Sequence, residues 1–397
     1  MRKERQNLKR LVIKVKQSKR LFVLIILILI CVLLAGCWNY SEIEQLAIIA
    51  GVAIDKNPDG SIHITIEIAD IASDGKVSYK PVILEVDGQT VVEAMKKGVI
   101  LEGKRLYWSH AKVIILSQEI AKEDISKYLD YIYRDEETRV DVWMLVSKEK
   151  TAGEILKSKG QLKPIVSFQI DDIMRTQKEV SRFPRVEIFE FFDRTFYTNV
   201  SPILPAVKLS TQKSGATTDI EGTAIFRDRK LVGFLDARDT KLALWLRDEI
   251  EGGLIPIRNV AGTSEDVVLE IIKSKSKITP VLEDGHFVIK VDIEMRVNIG
   301  EITGTVDFIG KEGRGQLKEY AEKEIKKAIE EMYKRVRDEY DADIFGFGRR
   351  IDMHMPAIWN QIKNEWNKIF LETELQVTVD LDIEGSSSIK TPLKVGD

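Results

Sequence analysis

Leu34-Ala35-Gly36-Cys37 is the segment whose residue types and spacing most clearly specify a reaction. The small residues let the scissile backbone lie extended in a peptidase groove, and the thiol that follows can take a thioether-linked diacylglycerol. This is the form of a bacterial lipobox. Upstream, residues 1–20 carry nine Lys and Arg against the single Glu4, and Leu21 to Leu34 is an unbroken apolar run. These are the n-region and h-region of a secretory signal peptide. As a helix, Leu21 to Gly36 would span about 24 Å at 1.5 Å per residue, short of a hydrocarbon core of roughly 30 Å. We therefore expect residues 1–36 to be removed and Cys37 to be lipidated. A diacylated Cys has at least the two chains that stable anchoring requires. Cys31 leaves with the signal peptide and Cys37 is consumed by lipid, so no intrachain disulfide, thiol nucleophile or Cys-ligated metal remains.

Other constellations come close to chemistry and stop short. Asp55-x-Asn57-x-Asp59-Gly60 opens like an EF-hand calcium loop, with oxygen ligands at positions one, three and five. Position twelve should be a bidentate Glu, but it is Ile66; Glu67 comes one residue late and Pro58 stiffens the loop. A plain hairpin turn is the better reading. His63, His110, His286 and His354 are scattered, with no pair at zinc-site spacing. Gly346-Phe347-Gly348 lacks a third Gly, Gly310 to Gly315 lacks the Lys of a phosphate loop, and no G-x-S-x-G elbow occurs. Asp338, Glu339, Asp341 and Asp343 could bind a cation, but a solvated helix end accounts for them. Asp171-Asp172 is too ordinary a pair to mark acid–base work. The expectation is no catalytic residue, no metal and no cofactor.

The whole chain has a net charge of −3, to which residues 1–36 contribute +8, leaving the mature part near −11. A generic nucleic-acid binder, or a domain held by anionic lipid, wants a basic face instead. With 44% hydrophobic residues the chain can build real cores. After Cys37 no apolar run approaches the length of a spanning helix.

The elements that must position these residues follow from periodicity. Leu46 to Asp55 is an apolar strand, and Ser61 to Ala69 alternates Ile62, Ile64, Ile66 and Ile68 with His63, Thr65 and Glu67, a hairpin with one dry face. Strands are expected at Val82 to Val86, Ala111 to Leu116 and Val140 to Val146, with helices at Thr90 to Val99 and Gln118 to Tyr133. Pro202 and Pro205 break the pattern, and the main boundary is placed between Ser201 and Thr218. The second half pairs Ile220 to Phe226 with Lys230 to Leu235, adds a short helix from Thr240 to Glu249, and continues with strands at Asp266 to Ile272, Ile278 to Leu282 and His286 to Val297. Gly315 to Tyr340 then carries apolar residues at three- and four-residue spacing, a long helix that should pack on a sheet. A shorter helix with Trp359, Ile362, Trp366 and Phe370 precedes a last strand, Leu375 to Ile383. Strands and helices do not alternate regularly, so the fold class is α+β, with mixed or antiparallel sheets. The expected domains are a signal peptide 1–36, an N-terminal region 37–205 that could split near residue 150, and a C-terminal domain 206–397.

Gly36-Cys37-Trp38-Asn39 through Ile54-Asp55-Lys56 resembles the opening of the Ger(x)C family, the C-subunit lipoproteins of nutrient-germinant receptors in bacterial spores. Three further blocks are similar to the same family: Leu106-Tyr107-Trp108-Ser109-His110 through Ala111 to Ser117 and Tyr133-Arg134-Asp135-Glu136; Glu221 to Phe226 with Leu231 to Leu235; and Asp341 to Gly348 with Pro356, Trp359 and Trp366. Asn39 stands where the family usually has Asp, and Ser109 where a Gly is common. The resemblance implies a non-enzymatic lipoprotein subunit, bound to the membrane through lipid on Cys37 and assembled with polytopic A and B subunits. Its place would be the outer face of the cell membrane, in spores the inner membrane. No nucleic acid partner is implied, and direct contact with a small-molecule germinant is left open. A solute-binding lipoprotein is the alternative reading, and a cell-wall enzyme a third; each lacks its expected signature.

Overall fold

The computed structural model describes residues 19–27, 29, 46–73, 77–134, 138–160, 162–197, 200–212 and 215–385. The cleavage site and Cys37, with Trp38 and Asn39, lie outside the described residues. Residues 19–27 and 29 are helical, and among the described residues no helix is long and apolar enough to cross a membrane.

Residues from Leu46 onward build two sheets. The first contains β1 (Leu46–Lys56), β2 (Ile62–Ser73), β3 (Val77–Gly88), β4 (Arg105–Tyr107), β5 (Val113–Leu116), β6 (Trp143–Ser147), β7 (Ile203–Gln212), β8 (Gly215–Arg227) and β9 (Lys230–Leu235). Its order is β3-β2-β1-β5-β6-β7-β8-β9, with β4 also pairing β1. The centre is parallel, from β1 through β5 and β6 to β7, and antiparallel hairpins flank it on both sides. The second sheet is β10 (Gly253–Ile257), β11 (Val267–Glu283), β12 (His286–Ile302) and β13 (Glu374–Gly385), in that order. The β11–β12 turn places Asp284 and Gly285 at positive φ, the backbone that a two-residue hairpin demands.

The α+β expectation is what the structure shows, and most elements fall where periodicity puts them. The long helix is Lys311–Tyr340; it buries Leu317, Ala321, Ile325, Ile329, Met332, Tyr333 and Val336 and packs along β13. Several details differ. Strands β7 and β10 were hidden by Pro205 and Pro256. Pro205 sits at a register shift between β7 and β8, and Pro256 is on the edge strand of the second sheet, two places where a missing N–H is tolerated. Strands β7 to β9 join the first sheet, which extends to Leu235. The expected helix Gln118 to Tyr133 is broken into Gln118–Ala121 and Ser126–Arg134, with Asp124 Oδ1 accepting from the Ser126 amide at 3.1 Å to start the second piece. Similarly, the Trp359 to Phe370 helix is two, Pro356–Ile362 and Trp366–Glu372, and the two short strands before His286 are one, β11. Finally, the β1–β2 hairpin is dry on both faces. Thr65 and Glu67, expected in solvent, are 0% exposed, because the segment from Ala152 to Ile170 covers that side of the sheet.

Candidate functional site

The polar residues of the β1–β2 hairpin turn inward to bind peptide groups. Asp55, at the end of β1, accepts the amides of Ala152 at 2.6 Å and Gly153 at 2.9 Å, where the Gly153–Leu156 helix begins. Glu67, on β2, accepts the amides of Val166 at 2.7 Å and Ser167 at 2.8 Å and the Ser167 hydroxyl at 2.5 Å, at the start of the Val166–Arg175 helix. Neither Ala152 nor Ile165 can cap a helix with its own side chain. The sheet supplies the missing acceptor, which satisfies the orphan N–H groups of a helix N-terminus and sets a negative charge against its dipole. Burial pushes both carboxyl groups above their usual range, and the donated N–H bonds pull against that rise.

The same device recurs in the second half. Asp343 accepts the amides of Gly346 (2.9 Å), Phe347 (3.1 Å) and Gly348 (2.8 Å) and the Trp366 indole N–H (3.0 Å), at the mouth of the Phe347–His354 helix. It is 2% exposed, and burial raises its pKa. The acidic set around it is therefore not a solvated helix end: Asp341 closes the long helix in a left-handed conformation and pairs with Arg227, while Asp343 is a structural acceptor. Asp171 likewise accepts the Trp143 indole N–H at 2.8 Å.

Close approach explains the glycines beside these acceptors. A Cβ on Gly51 would fall 2.1 Å from Ser167 Oγ, one on Gly153 2.5 Å from Thr65 Oγ1, and one on Gly348 2.8 Å from both Trp359 and Trp366. Lys56 and Lys127 both pair with Glu123, which also accepts the Tyr128 hydroxyl at 2.7 Å; these donors hold its pKa down at about 2.

The remaining candidates are dispersed. Asn57 donates to Asp87 at 2.7 Å and Asp59 accepts the Ser61 amide at 2.9 Å, the contacts of a hairpin turn. His63 faces Asp87 and Glu85 at 2.8 and 3.1 Å, and His354 lies 2.8 Å from the Arg350 carbonyl. Among the described residues no group of three or more His, Cys, Asp or Glu is arranged to hold a metal ion. A groove of about 790 Å³ lies between the Ala237–Trp245 helix, β10 and the long helix. Its walls include Leu242, Trp245, Ile255, Ile257 and Ile325, and Lys241 donates to the Leu254 carbonyl at 2.6 Å. Burial, with Arg182 nearby, lowers the Lys241 pKa to about 8. Such a groove can hold an apolar body with an anionic end.

Sequence reasoning missed Glu67, Ser167 and the glycines that admit them. The available signal was Glu67 itself, a carboxylate within the run of isoleucines from Ile62 to Ile68.

Comparison with known proteins gives one consistent result. A family model described as the spore germination protein N-terminal domain matches residues 39–209, and one described as the spore germination B3/GerAC-like C-terminal region matches 221–387. The chain is 26% identical over 359 residues to spore germination protein B3 of Bacillus subtilis (strain 168), covering 88% of this chain and 94% of that protein. It is 22% identical to spore germination protein KC of the same organism, covering 93% and 97%. A crystal structure described as that of the GerBC protein shares the fold with a TM-score of 0.57 at 24% identity, over 87% of this chain and 100% of that one.

Proposed function

The chain belongs to the Ger(x)C family of spore germination proteins, and from that premise we propose that it is the membrane-anchored lipoprotein subunit of a nutrient-germinant receptor. In this reading residues 1–36 are removed, Cys37 carries the lipid, and the mature domain stands on the outer face of the membrane, which in the spore is the inner membrane. It is a non-enzymatic subunit that assembles with, and couples or stabilises, the polytopic A and B subunits. The observation that carries the reading is the order of features along one chain: a lipobox, then the two family regions covering 39–209 and 221–387. The chemistry of the matched blocks supports a scaffold, since Asp55, Asp343, Gly348 and Trp366 all contribute to holding backbone in place.

The test is germination of spores in which every other nutrient receptor has been removed. Deleting this protein should abolish the response to one nutrient set and leave germination by receptor-independent agents intact. An unchanged nutrient response would rule out an essential receptor role, and turnover of a cell-wall fragment by the mature protein would favour an enzyme.

A further inference from the structure

A second depression, of about 280 Å³, is lined by four arginines and a single carboxylate. Arg194 comes from the Ile188–Tyr197 helix, Arg247 and Glu249 from the loop after the Ala237–Trp245 helix, and Arg349 and Arg350 from the first turn of the Phe347–His354 helix. Their convergence depends on the Asp343 acceptor, which fixes the turn that leads into Arg349 and Arg350.

Charge inside the pocket does not balance. Arg247 and Arg194 both donate to the same oxygen, Glu249 Oε1, at 2.8 and 3.4 Å. Arg247 also donates to the Ile344 carbonyl; its side chain is 6% exposed, yet its Nε is buried without an acceptor. Arg194 is held below the usual arginine range by burial and by the neighbouring positive charge of Arg247, with Glu249 and Glu190 acting against this. Asp343, the carboxylate at the turn that leads into Arg349 and Arg350, is occupied by three amides and an indole. Buried like charges on fixed elements are expensive unless a counter-charge joins them. Guanidinium groups present paired N–H donors that match a tetrahedral oxyanion. A volume of about 280 Å³ holds roughly nine waters at about 30 Å³ each, which leaves room for a phosphate group and part of its hydration.

We propose that this pocket binds a phosphate-type oxyanion, with Arg247 and Arg194 at its base and Arg349 and Arg350 at its rim. The chemistry is shared by inorganic phosphate and by a phosphomonoester lipid headgroup, and the inference does not depend on the receptor reading. The acidic character of the mature chain as a whole makes the local excess of arginine more pointed.

The full-length lipoprotein, purified in detergent, is melted in increasing inorganic phosphate and in chloride at matched ionic strength, and separately on vesicles of phosphatidic acid or phosphatidylcholine. Phosphate should raise the melting temperature saturably where chloride does not. The double variant Arg349→Ala/Arg350→Ala should weaken binding at least tenfold. Should that pair fail to fold, Arg349→Gln, at an exposed position, should still weaken binding measurably. Stabilisation by phosphatidic acid vesicles alone would identify a lipid headgroup as the source, and stabilisation by inorganic phosphate would identify the free anion. A folded wild-type protein that responds to neither, or a response unchanged in the rim variants, overturns the proposal.

Discussion

The two halves of the molecule solve one problem at different ranges. In each, a buried carboxylate takes the free amides at a helix entrance whose own cap residue offers no acceptor. In the first sheet the reach is long: Asp55 meets amides 97 and 98 residues away, and Glu67 meets groups 99 and 100 residues away. In the second half Asp343 meets amides three to five residues away and an indole 23 residues away. A long-range acceptor forms only once the sheet and its covering helices have come together, whereas a short-range one is available as soon as its turn forms. The first half adds these long-range acceptors to an aliphatic core, while the second has an aromatic core in which Tyr333, Phe345, Phe347, Phe370 and Trp366 contact one another at centroid distances of 5.2 to 6.5 Å.

The largest effect is expected where an apolar seam meets a charge. Ile329 is fully buried between the long helix and the second sheet, so Ile329→Asp should cost about 4–5 kcal/mol by calorimetric or denaturant unfolding. A soluble, stably folded Ile329→Asp protein would show that this stripe faces a partner instead. Asp343→Ala comes next: it strands three amides and an indole, for a loss of about 3–5 kcal/mol. Glu67→Ala strands two amides and a hydroxyl and should cost about 2–4 kcal/mol. The comparison sharpens in kinetics: Asp343→Ala should slow folding, while Glu67→Ala should chiefly speed unfolding. The reverse assignment would break it.

Smaller effects follow from fit and from protons. Gly51→Ala pushes a methyl group into Ser167 and should cost about 1–3 kcal/mol, with the loss reduced in a Ser167→Gly background. Additive losses would show that the crowding lies elsewhere. Asp55, Glu67 and Asp343 have folded pKa values above their ordinary values of 3.8, 4.5 and 3.8. A raised carboxyl binds its proton more readily in the folded state, so its contribution is fully present below the ordinary value and is lost as pH rises through the folded one. Glu123 acts oppositely: its contribution is present above 4.5 and is lost as pH falls toward about 2. Melting temperature followed from pH 7 down to 4.5 should therefore show a rise from the interior groups, and the rise should shrink in Glu67→Gln. An unchanged pH profile in that variant would remove Glu67 as a source.

The comparison also explains what the sequence reveals. Period-two and helical spacing expose β1, β2, β8, β9, β12, β13 and the long helix, because each buries one regular stripe. They do not expose β7 and β10, where proline is tolerated by a bulge and by an edge. Glu67 looks solvated in an alternating strand because nothing nearby in sequence covers it; its cover lies about a hundred residues on. Asp343 is likewise misread as part of a local acidic run, although its donors are close by, since three adjacent amides carry no side-chain signature. The arginine pocket joins three separated elements, so spacing alone could not assemble it.

The central claim, a lipid-tethered subunit assembled with polytopic partners, is tested most directly by purifying the tagged protein from spore inner membranes and identifying what accompanies it. Wild-type protein should have the mass of a diacylated chain beginning at Cys37 and should bring the A and B subunits with it. Cys37→Ala should retain residues 1–36, carry no lipid and recover less of both partners. An unlipidated wild-type protein, or a lipidated one that purifies without either polytopic subunit, would contradict the account.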